Sequence, residues 1–347
     1  MSPKDATAAT RATTTENLAS LQAHILAEET RHPGASGDFT WIVSAIQFAG
    51  KAIAHMVRRA RLEQVLGDYG EENVQGERQQ HMDVIANRII NRCLGERASI
   101  ALVASEEDET PTIIRTGAEG GKYCVLFDPL DGSSNLDFGV GVGTIFSVLR
   151  NDAEVADAEQ TLCQPGSMQV AAGYILYGSS TVFVITTGNG VDMFELDPHI
   201  GSFLLVKGGV RVPRAHRVYS INEAYRDQFP RGYQSYLDWA HRNGYSSRYI
   251  GSMVADVHRT LLQGGVFMYP PTAKHRDGKL RLLYEANPMA MVIEQAGGLA
   301  YSGLERTLAL QPHRLHQRTS VLMGSADEVE HVRRFMPTAA DAGFEDD

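Results

Sequence analysis

Cysteine is scarce in this sequence of 347 residues and occurs only at Cys93, Cys124 and Cys163. The three residues lie far apart and include no Cys-x-x-Cys pair. This spacing argues against a disulfide scaffold and against a structural zinc site. We therefore predict a protein of the reducing cytoplasm.

Long apolar runs and an excess of positive charge are also missing. No run approaches the ~20 apolar residues that a membrane span needs, so we expect no membrane partner. Lysine and arginine number 32 against 42 acidic residues, a net charge of −10, which argues against a nucleic-acid partner. A protein this acidic that handles an anionic substrate must gather its basic groups locally or use metal ions.

The apolar residues that are present, 43% of the total, suffice to bury a large core. The first quarter has helical periodicity, the middle has short buried runs typical of strands, and the last part alternates the two. These patterns predict a layered α/β fold with two lobes. We place a disordered tail at residues 1–15, an N-terminal lobe at 16–208, a C-terminal lobe at 209–337 and an acidic tail at 338–347.

Caps and periodicity give the bounds of several elements. A capping box at Thr13 and Glu16 precedes a first helix. The next two helices should run from about Asp38 to near Gly67 and from Met82 to near Gly95. Ser325 and Glu328 have the spacing of a second capping box. The predicted strands include 100–104, 123–127, 145–149, 170–176, 181–185, 203–206, 218–221 and 266–269.

Two clusters of acidic residues begin where predicted strands end. Glu106 and Glu107 follow one strand, and Asp128 and Asp131 follow the next. Ligands of open α/β sheets bind beyond the carboxyl ends of the strands, so two such clusters can meet in one pocket. Packed carboxylates repel one another unless a cation such as Mg²⁺ neutralises them. Taken alone, the Glu106 cluster is more often a plain loop.

The segment 128–135 reads Asp-Pro-Leu-Asp-Gly-Ser-Ser-Asn and offers metal ligands beside a seat for phosphate. One turn can present both aspartates, and the Leu130 carbonyl between them is a further oxygen ligand. Backbone N–H groups that can bind an anion come from Gly132, Ser133 and Ser134. Metal-assisted phosphoryl chemistry requires this combination.

These stretches resemble class I fructose-1,6-bisphosphatase, within the lithium-sensitive, magnesium-dependent sugar and inositol phosphatase superfamily. The superfamily signature Asp-Pro-(Ile/Leu)-Asp-Gly-(Ser/Thr) is present at 128–133, and the narrower match rests on 73–77, 82–84, 222–225, 248–259 and 279–285. The similarity runs from about Gly37 to about Phe335. It implies a layered α-β-α-β-α sugar-phosphatase fold with mixed sheets, assembled as a homotetramer.

The resemblance implies hydrolysis of the 1-phosphate of D-fructose 1,6-bisphosphate, in gluconeogenesis or a related sugar-phosphate pathway. It implies two or three Mg²⁺ ions per subunit, with Mn²⁺ as the alternative ion. Their ligands would be Glu106, Asp128, Asp131, Glu285, the Leu130 carbonyl and Glu77, where the family commonly has Asp. Asp83 and Glu107 would orient and deprotonate the attacking water.

The resemblance also implies a set of substrate-binding residues. Beside the 132–134 seat, these are Asp131, Asn222, Tyr225, Arg248 reaching from a neighbouring subunit, Tyr249, Met253, Tyr269, Lys279 and Arg281. From residue type alone, Tyr225 and Tyr269 could instead belong to the core. Lys279 and Arg281 alternate with leucines, so both could lie on the solvated side of a strand.

An adenosine monophosphate effector site is implied near the N-terminal helices, at Gly37, Thr40, Lys122 and Tyr123. Backbone N–H groups at the start of the helix after Gly37 can bind phosphate. Ser167 stands where the animal enzymes have Arg, which weakens the expected phosphate contact. The alternative is that the segment from Gly37 to Thr40 only caps the helix.

Two other functions stay open on the sequence. The pocket residues do not distinguish fructose from sedoheptulose substrates, so a sedoheptulose-1,7-bisphosphatase or a dual-specificity enzyme is the nearest alternative. A catalytically silent sensor of sugar phosphates or nucleotides is an alternative of another class. The presence of the expected carboxylates speaks against the sensor.

Overall fold

The computed structural model describes residues 19–29, 37–72, 78–115, 120–152, 155 and 157–336. The predicted tails, the capping box at Thr13 and Glu16, and the predicted metal ligand Glu77 lie outside the described residues. Within them, no helix is both long and apolar enough to cross a membrane. The α-helices are α1 (Leu21–Glu29), α2 (Asp38–Arg59), α3 (His81–Gly95), α4 (Ala158–Leu162), α5 (Arg231–Arg242), α6 (Met253–Gln263), α7 (Asn287–Gln295) and α8 (Ala326–Arg333).

The strands form two large mixed sheets and two small ones. The eight-stranded sheet has the order β10-β9-β8-β7-β6-β5-β3-β4, and the six-stranded sheet the order β12-β11-β13-β18-β15-β16. The pairs β1-β2 and β14-β17 stand apart from them. The bounds are β1 (Asp68–Glu72), β2 (Arg78–Gln80), β3 (Ile100–Ser105), β4 (Thr112–Ile113), β5 (Tyr123–Asp131), β6 (Val142–Arg150), β7 (Ala171–Tyr177), β8 (Thr181–Thr186), β9 (Asp192–Asp197), β10 (Ser202–Lys207), β11 (Val218–Ser220), β12 (Ser246–Ser247), β13 (Val266–Tyr269), β14 (Leu280–Arg281), β15 (Leu299–Ser302), β16 (Glu305–Arg306), β17 (Arg318–Thr319) and β18 (Val321–Gly324).

Helices and sheets alternate in five layers. Helices α2 and α3 cover one face of the eight-stranded sheet, around Phe146. Helices α6 and α7 fill the space between the two large sheets, through residues such as Val257 and Ile293. Helices α5 and α8 cover the far face of the six-stranded sheet, through Leu237 and Val329. This order confirms the predicted α-β-α-β-α fold.

Helix α2 begins at the predicted Asp38 but ends at Arg59, well before the predicted end near Gly67. Its buried face runs out at Ala60, and the following Leu62 is exposed. Gln64 then has a positive φ of 57°, which no helix contains. Because burial of an apolar face stabilises a helix, α2 stops where that face stops.

The predicted capping box of α8 is wrong. The Ser325 hydroxyl donates to the Pro213 carbonyl at 2.5 Å and accepts from the Gly265 N–H at 3.0 Å. The Glu328 carboxylate accepts from the His216 N–H and the Tyr245 hydroxyl instead of reaching back to the cap. Both side chains therefore bind distant segments, which a spacing rule does not foresee.

Candidate active site

The two predicted acidic clusters lie side by side. β3 and β5 are neighbouring parallel strands, with Ser105 opposite Phe127. The N–H of Glu106 donates to the carbonyl of Phe127 at 3.1 Å. Glu106 therefore lies next to Phe127, the residue directly before Asp128. Both carboxylates are buried. The parallel pairing thus brings the two strand ends together.

A cavity of about 220 Å³ opens at this edge of the sheet. Its lining includes the Leu130 backbone region and the Gly132, Ser133 and Ser134 turn. Its basic residues are Lys279 and Arg281, and its acidic residues are Asp83, Glu106, Glu107, Asp128, Asp131, Asp256 and Glu285. This excess of carboxylates favours a cation in the cavity.

Three of these carboxylates form a candidate metal centre. Asp128, Asp131 and Glu285 each offer one oxygen, and these oxygens lie within 4.8 Å of one another. All three residues are buried. Burial raises the pKa of Asp128 well above its ordinary value, and the neighbouring Glu106 carboxylate raises it further. Carboxylates that cannot all stay charged on their own fit a hard divalent cation, which takes oxygen ligands.

Asp131 is held by the start of α6. Its Oδ2 accepts hydrogen bonds from the Ser252 hydroxyl at 3.0 Å and the Val254 N–H at 2.8 Å. Burial nevertheless raises the pKa of Asp131 to about 6. The carboxylate is therefore fixed in position by the segment that carries Met253, a predicted substrate contact.

Arg281 is a buried cation among these acids. Its guanidinium forms an ion pair with Glu106 Oε1 at 2.8 Å and lies 3.7 Å from Glu285 Oε2. The Arg281 N–H also donates to Glu285 Oε2 at 2.5 Å. Arg281 is 4% exposed, so the alternative that places it on the solvated side of a strand is wrong.

Asp83 lies on the opposite wall, in the first turn of α3. Its Oδ2 accepts from the Gln80 N–H at 2.9 Å and the Ser133 hydroxyl at 3.0 Å. Burial raises the pKa of Asp83 to about 7, and the nearby Glu107 carboxylate contributes to the rise. Glu107 is half-buried at the end of β3, where its N–H donates to the Ser105 hydroxyl. Both predicted catalytic carboxylates thus line the cavity.

The turn between β5 and the following 3₁₀ helix requires glycine. Gly132 has a φ of 75°, and a Cβ there would lie 2.7 Å from the Ser252 Cβ. The 3₁₀ helix Ser133–Phe138 starts directly after it, so its first N–H groups face the start of the turn. The predicted phosphate seat therefore lies at a helix start beside the acidic cluster.

The predicted substrate residues divide into two groups. Tyr249, Met253, Tyr269, Lys279 and Arg281 line the cavity. Asn222, Tyr225 and Arg248 do not belong to that lining, although Asn222 hydrogen-bonds the Tyr249 side chain. Tyr225 is 48% exposed, so the alternative that places it in the core is wrong. The exposed Arg248 turns back to the carbonyl of Ser247 at 2.7 Å.

Two residues of the site were not identified from the sequence. Ser252 directly precedes α6, and its hydroxyl binds Asp131. Asp256 is fully buried and accepts from the Ile250 and Gly251 N–H groups and the Ser220 hydroxyl, which fixes the loop that carries Tyr249. The signal in the sequence for Asp256 is a charged residue among the apolar residues of α6.

The predicted effector residues gather at the start of α2. These residues are Gly37, Thr40, Lys122 and Tyr123. Gly37, with a φ of 74°, directly precedes the helix, and Lys122 pairs with Asp38. The Glu29 carboxylate accepts from the Thr40 N–H at 3.2 Å and the Thr40 hydroxyl at 2.7 Å. The protein's own carboxylate thus binds part of the helix start.

Comparisons with known proteins agree with one another. The family models "Fructose-1-6-bisphosphatase, N-terminal domain" and "Fructose-1-6-bisphosphatase, C-terminal domain" match residues 19–208 and 212–337. The chain is 48% identical to "Fructose-1,6-bisphosphatase class 1" of Chlorobium chlorochromatii, over 92% of this chain and 98% of that protein. It is 46% identical to the protein of the same name from Chloroherpeton thalassium, over 92% and 93%. The Leishmania major fructose-1,6-bisphosphatase in holo form matches with a TM-score of 0.86 and 42% identity, over 91% of this chain and 98% of that one.

Proposed function

Because this chain belongs to the fructose-1,6-bisphosphatase family, we propose that it hydrolyses the 1-phosphate of D-fructose 1,6-bisphosphate to give fructose 6-phosphate and inorganic phosphate. The observation that carries the proposal is the cluster of Asp128, Asp131 and Glu285 within 4.8 Å, beside the Gly132–Ser133 turn. A metal centre and an anion seat in one cavity are what hydrolysis of a phosphate ester requires.

The metal ions would be two or three Mg²⁺ per subunit, with Mn²⁺ as the alternative. Their proposed ligands are Glu106, Asp128, Asp131, Glu285, the Leu130 carbonyl and Glu77. When bound, the ions neutralise charge on the phosphoryl group and lower the pKa of a coordinated water. Arg281 already pairs with Glu106 and lies near Glu285, so it keeps part of this charge balanced before a metal enters.

The water would be activated by Asp83 and Glu107. Asp83 is held by Gln80 and Ser133, and its pKa of about 7 suits a base that accepts a proton near neutral pH. Glu107 faces the same cavity from the end of β3. The two carboxylates act as bases, whereas the carboxylates of the metal centre hold the ions.

The sugar and its second phosphate would lie towards the α6 side of the cavity. Tyr249 and Tyr269 line the cavity, and Asn222 and Tyr225 lie outside its lining, near Tyr249. In this proposal the hydroxyls and amide bind the 6-phosphate, and Lys279 and Arg281 lie beside the 1-phosphate. The amphipathic tyrosines offer a ring to the sugar and a hydroxyl to the phosphate.

A phosphate-release assay on metal-stripped protein tests this function. We expect turnover of fructose 1,6-bisphosphate that depends on added Mg²⁺, and no phosphate release from fructose 6-phosphate. A higher kcat/KM with sedoheptulose 1,7-bisphosphate would establish the alternative specificity. Binding of the sugar bisphosphate without turnover at any metal concentration would identify a sensor and contradict the proposal.

We also propose adenosine monophosphate as an effector at the start of α2. The Glu29 carboxylate accepts from the Thr40 N–H and hydroxyl, so an incoming nucleotide phosphate meets its negative charge. We expect Glu29→Gln to lower the concentration of adenosine monophosphate that half-inhibits turnover. Glu63→Gln, at an exposed ion pair with Arg59, is the matched control. If adenosine monophosphate inhibits neither the wild type nor either variant, this assignment is contradicted.

We propose a homotetramer of the cytoplasm. Trp41 and Phe48 lie two turns apart on α2 and are exposed, as expected for aromatic residues that contact another subunit. In this assembly the exposed Arg248 side chain would leave the Ser247 carbonyl and reach the active site of a neighbouring subunit. The three cysteines are free thiols, which accords with a reducing compartment. Light scattering should give the mass of four chains, and a monomer at working concentration would contradict the assembly.

A further inference from the structure

A β-bulge places the two aspartates of the metal centre. Asp128 pairs with Ile145 and Asp131 pairs with Gly143, so two residues of β5 oppose the single residue Thr144 of β6. The two residues are Pro129 and Leu130, so β5 has one residue more than β6 in this interval. A bulge of this kind shifts the alternation of side chains along its strand by one residue.

This shift turns Asp131 to the same side as Asp128. In the regular part of β5, Val125 and Phe127 pack under α2 and α3, whereas Cys124 and Leu126 pack on the opposite face. Leu130 packs under α2 and α3 although its even number would place it on the other face. Asp131 therefore joins the face of Asp128, and without the bulge it would point into the core under the helices.

The bulge is bound by a chain of two buried hydroxyls. Thr144 Oγ1 donates to the Pro129 carbonyl at 2.8 Å, and the Tyr177 hydroxyl lies 2.8 Å from Thr144 Oγ1. A carbonyl only accepts, so the single hydroxyl proton of Thr144 goes to Pro129 and Tyr177 donates to Thr144. Thr144 and Tyr177 are 3% exposed each. Burial raises the pKa of the Tyr177 phenol, which therefore keeps the proton that it donates.

We propose that Thr144 and Tyr177 are positioning residues for the metal centre. Neither residue lines the cavity. Thr144 binds the carbonyl of Pro129 within the bulge, Tyr177 binds Thr144, and the two together hold the bulge in place. The orientation of Asp131, and of the Leu130 carbonyl next to Pro129, depends on them. This inference rests on the metal centre of the proposed function.

Metal affinity of stripped protein, with Mn²⁺ as the probe ion in calorimetry, tests the inference without turnover. We expect Thr144→Val to raise the Kd for Mn²⁺ about 10-fold or more, and Thr144→Ser, which keeps the hydroxyl, to stay within about 2-fold. Tyr177→Phe leaves the bond to Pro129 in place, so we expect a smaller rise of about 3-fold. In assays, Thr144→Val should raise the Mg²⁺ concentration for half activation more than the KM for sugar bisphosphate.

Tyr174→Phe is the matched control. Tyr174 lies on the same strand β7, is equally buried and faces the opposite side, where its hydroxyl binds His258 at 2.8 Å. We expect this variant to lose stability as Tyr177→Phe does, with no change in Mn²⁺ affinity. Wild-type affinity in folded Thr144→Val would overturn the inference. If Thr144→Val does not fold, equal affinities of Tyr177→Phe and Tyr174→Phe would overturn it. A wild-type protein that binds Mn²⁺ but hydrolyses no sugar bisphosphate would contradict the proposed function, and the variant affinities would still decide the role of Thr144.

Discussion

Asp83 combines burial, a fixed orientation and a raised pKa. The Gln80 N–H and the Ser133 hydroxyl hold one of its oxygens, and burial raises its pKa to about 7. Each of the two hydrogen bonds favours the charged form and so lowers the pKa. Because the pKa is raised nevertheless, burial and the neighbouring carboxylates outweigh the two hydrogen bonds. A carboxylate with these properties can accept a proton from water at neutral pH.

We expect Asp83→Asn to lower kcat by about 10² to 10⁴, the usual contribution of a general base. The amide keeps the size of the side chain but cannot accept the proton. Asp327→Asn, at an exposed ion pair with Arg214, controls for the loss of a carboxylate elsewhere. Steady-state phosphate release gives the rates, and circular dichroism confirms the fold. A folded Asp83→Asn protein with the wild-type rate would exclude Asp83 as the base.

The same pKa predicts how the stability of the metal-free protein depends on pH. Asp83 has a pKa of about 7 when folded and an ordinary value of 3.8, so the folded state binds the proton more tightly. This stabilisation is complete below about pH 4 and is lost as pH rises through 7. Burial lowers the pKa of His258 from 6.5 to about 4. The effect of His258 on stability therefore changes with pH mostly below pH 6.5, outside the range from pH 6 to pH 8 where Asp83 is tested.

In chelator, we expect the melting temperature to fall between pH 6 and pH 8. One pKa unit corresponds to about 1.4 kcal/mol, which for a protein of 347 residues amounts to a fall of about 2 °C. Asp83→Asn does not titrate, so its fall over this range should be smaller. Differential scanning fluorimetry of both proteins in one buffer series measures the difference. A wild-type melting temperature that rises between pH 6 and pH 8 would contradict the assignment of this pKa.

At the scale of elements, the turn after β5 connects the candidate metal centre to the proposed phosphate seat. Gly132 must adopt a positive φ there, and the space for its side chain is already taken by Ser252. Gly139 ends the same 3₁₀ helix with a φ of 72°, but a Cβ at that position meets nothing within 4 Å. The two glycines therefore share a backbone conformation and differ in their surroundings.

We expect Gly132→Ala to destabilise the protein by about 1–3 kcal/mol and to lower kcat strongly, because the added Cβ displaces either Ser252 or the turn. Gly139→Ala should incur only the cost of its positive φ, about 1 kcal/mol, and keep its activity. Urea unfolding and phosphate release measure the two effects. Equal activity of the two variants would show that the packing of Gly132 against Ser252 is not required.

Several of the elements that sequence patterns predicted well have either a continuous apolar run or a regular apolar stripe. Strands such as β5 and β8 read as continuous apolar runs, and α3 as a regular apolar stripe ended by Gly95. Helix α5 was missed although its buried residues Tyr233, Tyr236, Leu237 and Ala240 have the spacing of an apolar helix face. The half-exposed strand β9 was not predicted, because tertiary packing forms it and local pattern does not. Ser325 failed as a cap for a similar reason, since its hydroxyl binds residues far along the chain.

At the scale of the whole molecule, the site depends on contacts between segments that are distant in sequence. The meeting of the acidic residues at the ends of β3 and β5 could be predicted, because such residues follow two apolar runs directly. The ion pair of Arg281 with Glu106 and the bond of Ser252 to Asp131 could not, because each joins one part of the chain to another. The residue types were visible in the sequence, whereas their partners depended on how the two large sheets pack.

The metal centre joins the two halves of the chain, because Asp128 and Asp131 end a strand of the eight-stranded sheet and Glu285 precedes α7. A cation bound by all three stabilises the folded protein by RT ln(1 + [M]/Kd), about 2.7 kcal/mol at 100 times Kd. We expect Mg²⁺ to raise the melting temperature of stripped wild-type protein and to sharpen its transition, since both halves then unfold together.

Glu285→Gln removes one ligand of this centre and should abolish most of the metal-dependent rise. It should also leave the Arg281 guanidinium with one fewer carboxylate, so the variant in chelator should be less stable than wild type. Glu330→Gln, at a half-buried ion pair with Arg333, is the matched control and should respond to Mg²⁺ as wild type does. Scanning calorimetry with and without metal measures both effects. A full Mg²⁺ response in Glu285→Gln would place the metal on one half of the chain only, because the cation would then be stabilising the eight-stranded sheet without bridging to the segment before α7.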